Sequence, residues 1–366
     1  MSYDIPFTGF KLKVRAIGPE LMAAIQEVLE SGIYILGPKV QEFEKVFASL
    51  CGVNHGVGLG SGTCSLHMAL RGFGIGKGDE VITAANSFFA SAGAIGVTGA
   101  TPVFADVCED LNLDPSAVEA AITPRTRALM PVHLTGRPAD MTRMVQIAER
   151  HNLPIVEDAS QAAGARWKDK PVGGFGKAAC FSLHPLKTIH AFGDAGVVVT
   201  DDVSLAEYLK RARNHGLRNR EECDFWSFNS RLDELHAAVL LLMMNHYEKW
   251  IERRRLLAGR YREGLGDCVG VPSERPEEYH VYHSFMIQAD RRDELQAYLQ
   301  GRGVEALVHY PVILPDQEAA SASSSRLGDY PIARKLAGRV LSLPLYPELE
   351  EAQQDRVIEL IRQFYK

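Results

Sequence analysis

The sequence predicts an α/β protein of two domains, with a mainly parallel sheet in the larger one. Three observations carry this expectation. The chain has 366 residues, more than one compact core usually holds. Between about Leu50 and Thr200, short apolar runs alternate with amphipathic stretches. From Ser230 a long helical pattern begins, and after Gly270 the texture changes again.

The apolar runs place strands at Glu80–Thr83, Pro102–Asp106, Ala128–Val132, Pro154–Glu157, Ala179–Leu183 and Gly196–Thr200. Most are continuous instead of alternating, which suits strands buried on both faces. Asp140–His151 reads as an intervening helix, with Met144, Ile147 and Ala148 on one face. Leu232, Leu235, Val239, Leu242, Met243 and His246 recur at helical spacing, and the pattern runs to about Leu265. A helix of that length suits a bridge between a large domain, 1–245, and a small C-terminal domain, 246–366. In the latter, Ser284–Gln288 and Val304–Tyr310 read as strands, and Glu294–Leu299 and Val357–Phe364 as helices. Ala319–Ser325 reads as a mobile loop of small residues.

Composition narrows the class. Hydrophobic residues make up 46% and charged residues 23%, so a well-filled core is expected. The net charge of -6 argues against a nucleic-acid surface. The densest basic stretch, Arg253 to Arg255, reads as a solvated helix face. No run of about 18 apolar residues occurs and the start lacks a signal-peptide pattern, so a cytoplasmic protein is expected. The six cysteines include no CxxC pair and read as buried reduced thiols.

Four segments carry the chemistry, and all lie at ends of expected elements, where open α/β sheets bind ligands. Gly60-Ser61-Gly62-Thr63 precedes a helical pattern. It reads either as a cradle whose free amides and Thr63 hydroxyl face a phosphate, or as a plain capped turn. Asp158 follows an apolar run, where a carboxylate needs a cationic partner or serves as a helix cap. The protonated ring nitrogen of pyridoxal 5'-phosphate (PLP) is one such partner. Lys187 follows Phe181-Ser182-Leu183-His184-Pro185-Leu186 and precedes Gly193-Asp194-Ala195-Gly196. It is either a surface lysine or a partly desolvated amine able to form a Schiff base. Phe228-Asn229-Ser230-Arg231 stands just ahead of the long helix, to cap it or to reach across an interface.

In this order the segments resemble the DegT/DnrJ/EryC1/StrS family of PLP-dependent sugar aminotransferases. Further collinear matches are Gly37-Pro38-Lys39-Val40-Gln41-Glu42-Phe43-Glu44, Gly78-Asp79-Glu80-Val81-Ile82-Thr83, Pro131-Val132-His133-Leu134, Arg213-Asn214-His215-Gly216 and His309-Tyr310-Pro311. The resemblance implies the aspartate aminotransferase fold (PLP fold type I), a large mainly parallel-sheet domain plus a smaller C-terminal α+β domain. It implies that Lys187 holds PLP as a Schiff base and acts as the catalytic acid and base. Asp158 then faces the ring nitrogen, Gln161 the 3′-oxygen, and Phe88 stacks on the ring. Gly62, Thr63 and Ser182 contact the phosphate. Asn229 resembles the residue lent by a second subunit, implying a homodimer with composite sites, and Arg231, His184, His309 and Tyr310 are candidates for substrate contacts.

The implied reaction moves an amino group from L-glutamate or L-glutamine to a keto sugar, foremost a nucleotide-linked 3- or 4-keto deoxysugar, in amino-sugar biosynthesis. A cyclitol ketone or a free keto sugar acid is an alternative acceptor, dehydration an alternative PLP reaction, and a non-catalytic PLP-binding regulator an alternative of another class. Three departures from the family pattern stand out. Ala195-Gly196 replaces two glycines, His184 sits where an aromatic is common, and Val312-Ile313-Leu314-Pro315 lacks the family's usual histidine.

Overall fold

The computed structural model describes residues 3–323 and 328–366. Its centre is a seven-stranded sheet. The strands are β1 (His55–Leu59), β2 (Glu80–Ala84), β3 (Thr101–Ala105), β4 (Thr126–Met130), β5 (Val156–Asp158), β6 (Ala178–Ser182) and β7 (Gly196–Thr200). β1 and β6 both pair antiparallel with β7, β6 pairs parallel with β5, and β4, β2 and β3 pair parallel. The bridges Leu129 to Ile155 and Val132 to Asp158 join β4 to β5. The order is therefore β1-β7-β6-β5-β4-β2-β3, with only β7 reversed. Strands β2, β6 and β7 are buried along nearly their whole length, which explains their unalternating apolar sequences.

Helices cover the sheet. They are α1 (Phe10–Ser31), α2 (Pro38–Cys51), α3 (Gly62–Gly72), α4 (Phe89–Gly96), α5 (Pro115–Ala121), α6 (Met141–His151) and α7 (Val203–Ala212). Caps fix several of their ends. Asp140 accepts the Arg143 amide at the start of α6, and Asp202 accepts the Ser204 and Leu205 amides at the start of α7. Helix α2 has Gly37 as its N-cap, which offers no side chain to accept the first-turn amides. The Glu234 carboxylate, from the first turn of the next long helix, accepts the amides of Lys39 and Val40 at 3.0 and 2.9 Å instead. A buried Arg213–Glu44 pair ties α2 to β1, since Glu44 also accepts the Gly58 amide at 2.8 Å.

Helix α8 (Glu234–Leu265) links two cores. Its first half buries Val239, Leu240, Met243 and Tyr247 with α2 and the sheet. Its second half buries Leu257, Tyr261 and Leu265 among C-terminal elements. These are strands β8 (Phe285–Gln288) and β9 (Val340–Leu343), paired antiparallel, and helices α9 (Arg292–Gln300), α10 (Glu318–Ser323), α11 (Pro331–Ala337) and α12 (Glu351–Phe364).

Several expectations need correction. Val304–Tyr310 is not a strand. Its backbone bonds are split, Glu305 bonding to Ile5 and Leu307 to Ser342, so no continuous ladder forms. The small-residue stretch from Ala319 is helical as far as Ser323, because alanine favours and serine tolerates helical backbone. Ser324 and Ser325 lie outside the described residues. Arg254 is not on a solvated face. It is 7% exposed, because the bridging helix is buried on more than one side here. Of the cysteines only Cys51 and Cys180 are buried, while Cys223 is exposed; all six are free thiols. Strand β1 has no continuous apolar run in the sequence, since its two glycines break it.

Candidate active site

The ends of four strands converge on one cavity of about 370 Å³. That size suits a small-molecule ligand. Turns after β1 and β2, the ends of β5 and β6, and the turn before β7 supply one wall. The segment before α1, helix α8 and the C-terminal elements supply the other.

The Gly60–Thr63 segment forms the expected turn into α3. Ser61 is the N-cap, extended at φ -167°, and its Oγ accepts the Cys64 amide at 3.1 Å. The remaining first-turn amides carry the positive end of the helix dipole toward the cavity, where an anion is favoured. Glycine is required at two contacts. A Cβ on Gly62 meets Ser182 Cβ at 2.6 Å, and one on Gly196 meets the Ser61 carbonyl carbon at 2.4 Å. The α3 N-terminus thus sits hard against the ends of β6 and β7. Ala195, in the place of the family's other glycine, is accommodated at 1% exposure.

Asp158 ends β5 and is 3% exposed. Its Oδ2 accepts the Ser91 hydroxyl at 2.7 Å, and its Oδ1 the Ser160 amide at 3.2 Å. Ser87 in turn bonds Ser91 at 2.7 Å. The preceding Glu157 is fully buried and braces this strand end from behind. It accepts His133 Nε2 at 3.1 Å and the amides of Gly173, Phe175 and Gly176 at 3.0, 2.9 and 2.7 Å. Gln161 Oε1 accepts the Thr135 amide at 2.6 Å, which fixes its side chain in the wall.

Lys187 lies in the turn between β6 and β7. Its amide donates to the His184 carbonyl at 2.8 Å, and His184 Nδ1 accepts the Leu186 amide at 3.2 Å. His184 therefore braces the turn that presents Lys187, besides lining the cavity. Burial lowers the Lys187 pKa from 10.5 to about 8, with Asp158 opposing the shift. A neutral amine is thus accessible near neutral pH. Burial, and then Lys187, lower His309 to about 4, so its imidazole is neutral. Burial pushes Tyr310 up to about 12, with Asp158 adding to it. Phe88 is half exposed at the mouth, with its ring 6.0 Å from Tyr310.

The cavity brings together Gly62, Thr63, Phe88, Asp158, Gln161, Ser182, Lys187, His184, His309 and Tyr310 of the sequence candidates. It does not include Asn229 or Arg231. Asn229 is exposed, and Arg231 donates to Asn214 at 3.3 Å. The wall also contains residues that carried no sequence signal: Ser87 and Ser91, which hold Asp158, and Lys13, Arg254, His283 and Glu348. The serines are separated from Asp158 by about 70 positions of chain. Lys13 and Arg254 look like ordinary surface charges on amphipathic helices.

A helix N-terminus that suits a phosphate, an anchored carboxylate that suits a ring nitrogen and a desolvated lysine that suits an aldehyde line one cavity, and glycines let these parts converge. The donor set fits PLP. The comparisons agree. The chain matches the DegT/DnrJ/EryC1/StrS aminotransferase family over residues 15–362 and belongs to it. It is a PLP-dependent aminotransferase. It is 45% identical over 363 residues to dTDP-3-amino-3,4,6-trideoxy-alpha-D-glucose transaminase of Streptomyces venezuelae, covering 98% of this chain and 96% of the relative. It is 42% identical over 368 residues, 99% of each chain, to a Geobacillus stearothermophilus protein named pleiotropic regulatory protein. The crystal structure of S. venezuelae DesV in complex with a ketimine intermediate superposes at a TM-score of 0.96 and 44% identity, over 100% of this chain and 99% of that one. Among the described residues, no helix is long and apolar enough to cross a membrane.

Proposed function

We propose that the protein moves an amino group from L-glutamate or L-glutamine to a keto sugar, foremost a nucleotide-linked 3- or 4-keto deoxysugar. The observation that carries this reading is the joint placement of Lys187, Asp158 and the α3 N-terminus on one cavity. The sugar class rests on the likeness to the dTDP-sugar transaminase. When bound, PLP supplies the electron sink for the reaction.

The chain's own residues do the rest. The α3 amides, Thr63 and Ser182 bind the phosphate, and Gly62 keeps that approach open. Asp158, held by Ser91 and the Ser160 amide, keeps its carboxylate aimed at the ring nitrogen and holds a proton there. Gln161 faces the 3′-oxygen, and Phe88 covers the ring at the mouth and excludes water. Lys187 anchors the cofactor through Nζ and then moves a proton from the donor Cα. His309 and Tyr310, beside Lys187 and Phe88, orient the sugar, with His184 behind the lysine turn.

The active unit in this reading is a homodimer in the cytoplasm. Asn229 and Arg231 lie outside the chain's own cavity, beside exposed Trp226 and Phe228, which supports a role at the partner's site. A division into 1–245 and 246–366 places the boundary within α8. The test is to purify wild type and Lys187→Ala with PLP. Loss of the bound cofactor's visible absorbance in a folded variant is expected, and an unchanged spectrum overturns the assignment. A panel of keto sugars and cyclitol ketones with either donor then identifies the acceptor. A relative with a regulator's name keeps one other outcome in view. Wild type that binds PLP but takes no amino group from any donor is a regulator.

A further inference from the structure

The part of the cavity wall supplied by α1 and α8 holds two buried cations that the reaction described above leaves unused. Lys13, one turn into α1, is 6% exposed, and Arg254 of α8 is 7% exposed. Both line the cavity that contains Lys187. Among the described residues neither forms an ion pair. Arg254 is anchored through Nη1 alone, to the carbonyls of Tyr282, His283 and Leu345 at 3.0, 3.3 and 2.8 Å. Burying a cation without a counter-charge is costly, so a site that keeps two invites an anion.

The Lys13 ammonium is positioned. His190 Nδ1 lies 3.0 Å from the Ala191 carbonyl and therefore carries the proton. His190 Nε2 is then the acceptor of Lys13 Nζ at 3.2 Å. That contact uses one of three ammonium donors. Trp250 packs its ring 4.5 Å from the same Nζ. His190 belongs to the turn that carries Lys187, three residues further on, so the two amines are held in register by one loop.

Glu348 lines the same wall and is the nearby acid that raises the pKa of both cations. It does not neutralise the pair: two cations face one carboxylate. Burial outweighs it, lowering Lys13 to about 8 and Arg254 to about 10. Glu348 Oε2 is buried without a hydrogen-bond partner. It stands 3.1 Å from where a Cβ on Gly9 would lie, at the positive end of α1.

We propose that Lys13 and Arg254 form the subsite that recognises a carboxylate of the amino-acid donor. The proposal rests on the aminotransferase reading and names its donor chemistry. An amino acid is then held at two points: its nitrogen at the Lys187 end and a carboxylate at Lys13 and Arg254. The 2-oxo acid formed from the donor, its nitrogen replaced by an oxygen from water, keeps its carboxylates and would depart from the same subsite.

The test uses the dimeric holoenzyme, wild type, Lys13→Met, Lys13→Gln and Lys13→Arg, with folding checked by near-UV circular dichroism. Glutarate, which cannot react, is titrated by calorimetry. L-glutamate is mixed with holoenzyme, and the cofactor's spectral change gives its half-saturating concentration. A keto-sugar acceptor is titrated at saturating donor. Loss of the charge, in whichever of the Met and Gln variants folds, is expected to weaken glutarate and L-glutamate about tenfold. Lys13→Arg restores most of the loss, and acceptor half-saturation stays put. A change of less than about threefold in glutarate binding overturns the proposal. So does a loss confined to the acceptor, which assigns the subsite to an acidic sugar. Wild type that takes no nitrogen from either L-glutamate or L-glutamine sinks the aminotransferase reading itself, a separate result.

Discussion

Glu157 is the strongest structural test of how the site is held. It is fully buried, and its carboxylate accepts three amides and one imidazole at 2.7 to 3.1 Å. His133 Nδ1 accepts the Ala139 amide at 3.0 Å, so the proton toward Glu157 is fixed on Nε2. Glu157→Gln keeps the volume but turns an NH2 toward donors. If its oxygen serves Phe175 and Gly176, its nitrogen meets both His133 and Gly173. Two unsatisfied donors at about 1–1.5 kcal/mol each give about 2–3 kcal/mol. Glu157→Ala strips all four donors, and about 3–5 kcal/mol is expected after relaxation. At about 2.1 cal/mol/K per residue, a chain of this length unfolds with an entropy near 0.8 kcal/mol/K, so Glu157→Gln lowers Tm by about 3–4 °C and Glu157→Ala by about 4–6 °C.

The pH dependence has a definite sign. Burial pushes the Glu157 pKa up, but the His133 bond and the Gly176 and Gly173 amides outweigh it and hold the group below its ordinary value. A carboxylate depressed in the folded state adds stability above its unfolded pKa, about 4.3, and loses it as pH falls through the folded value. The gap between wild type and Glu157→Gln is therefore full at pH 7 and closes below about pH 4. Melting followed by calorimetry across that range is the assay. Equal Tm at pH 7, or a gap that widens in acid, refutes the reasoning.

Three further outcomes follow from the same geometry. Apoenzyme should take up PLP at a rate that rises with pH through about 8, where the buried Lys187 amine loses its proton; a midpoint near 10.5 would show an ordinary surface lysine. Gly196→Ala drives a methyl into the Ser61–Gly62 backbone, which cannot move aside as a side chain can, so a loss of about 1–3 kcal/mol and weaker PLP retention are expected. Retention measured by dialysis at wild-type level would refute that. Mixing inactive Lys187→Ala with inactive Asn229→Ala should restore activity if Asn229 serves the partner's site, since one of the two sites of the mixed dimer then carries both intact residues; no recovery in a mixture shown to exchange subunits argues against composite sites.

Much of the large sheet was legible because burial on both faces forces continuous apolar runs, as in β2, β6 and β7. Asp158 stood out because it ends a buried apolar strand with a charge, and Lys187 because it follows such a strand in the turn before a glycine-rich segment. Where pairing is not local the sequence was mute. Val304–Tyr310 has strand composition, yet its hydrogen bonds are divided between Ile5 and Ser342. Arg253 to Arg255 reads as one basic patch, but the rotation of α8 buries Arg254 and leaves its neighbours half-buried.

The sequence by itself determined the family and the reaction class and singled out candidate cofactor contacts, since those residues sit in short motifs whose chemistry is local. Tertiary structure alone decided what stands opposite them. Ser91 reaches Asp158, Glu157 gathers three amides, and Lys13 comes to share a cavity with Arg254 because α1 and α8, far apart in sequence, pack against each other. A side chain's partners across a cavity have no fixed sequence spacing, and only the packed chain supplies them.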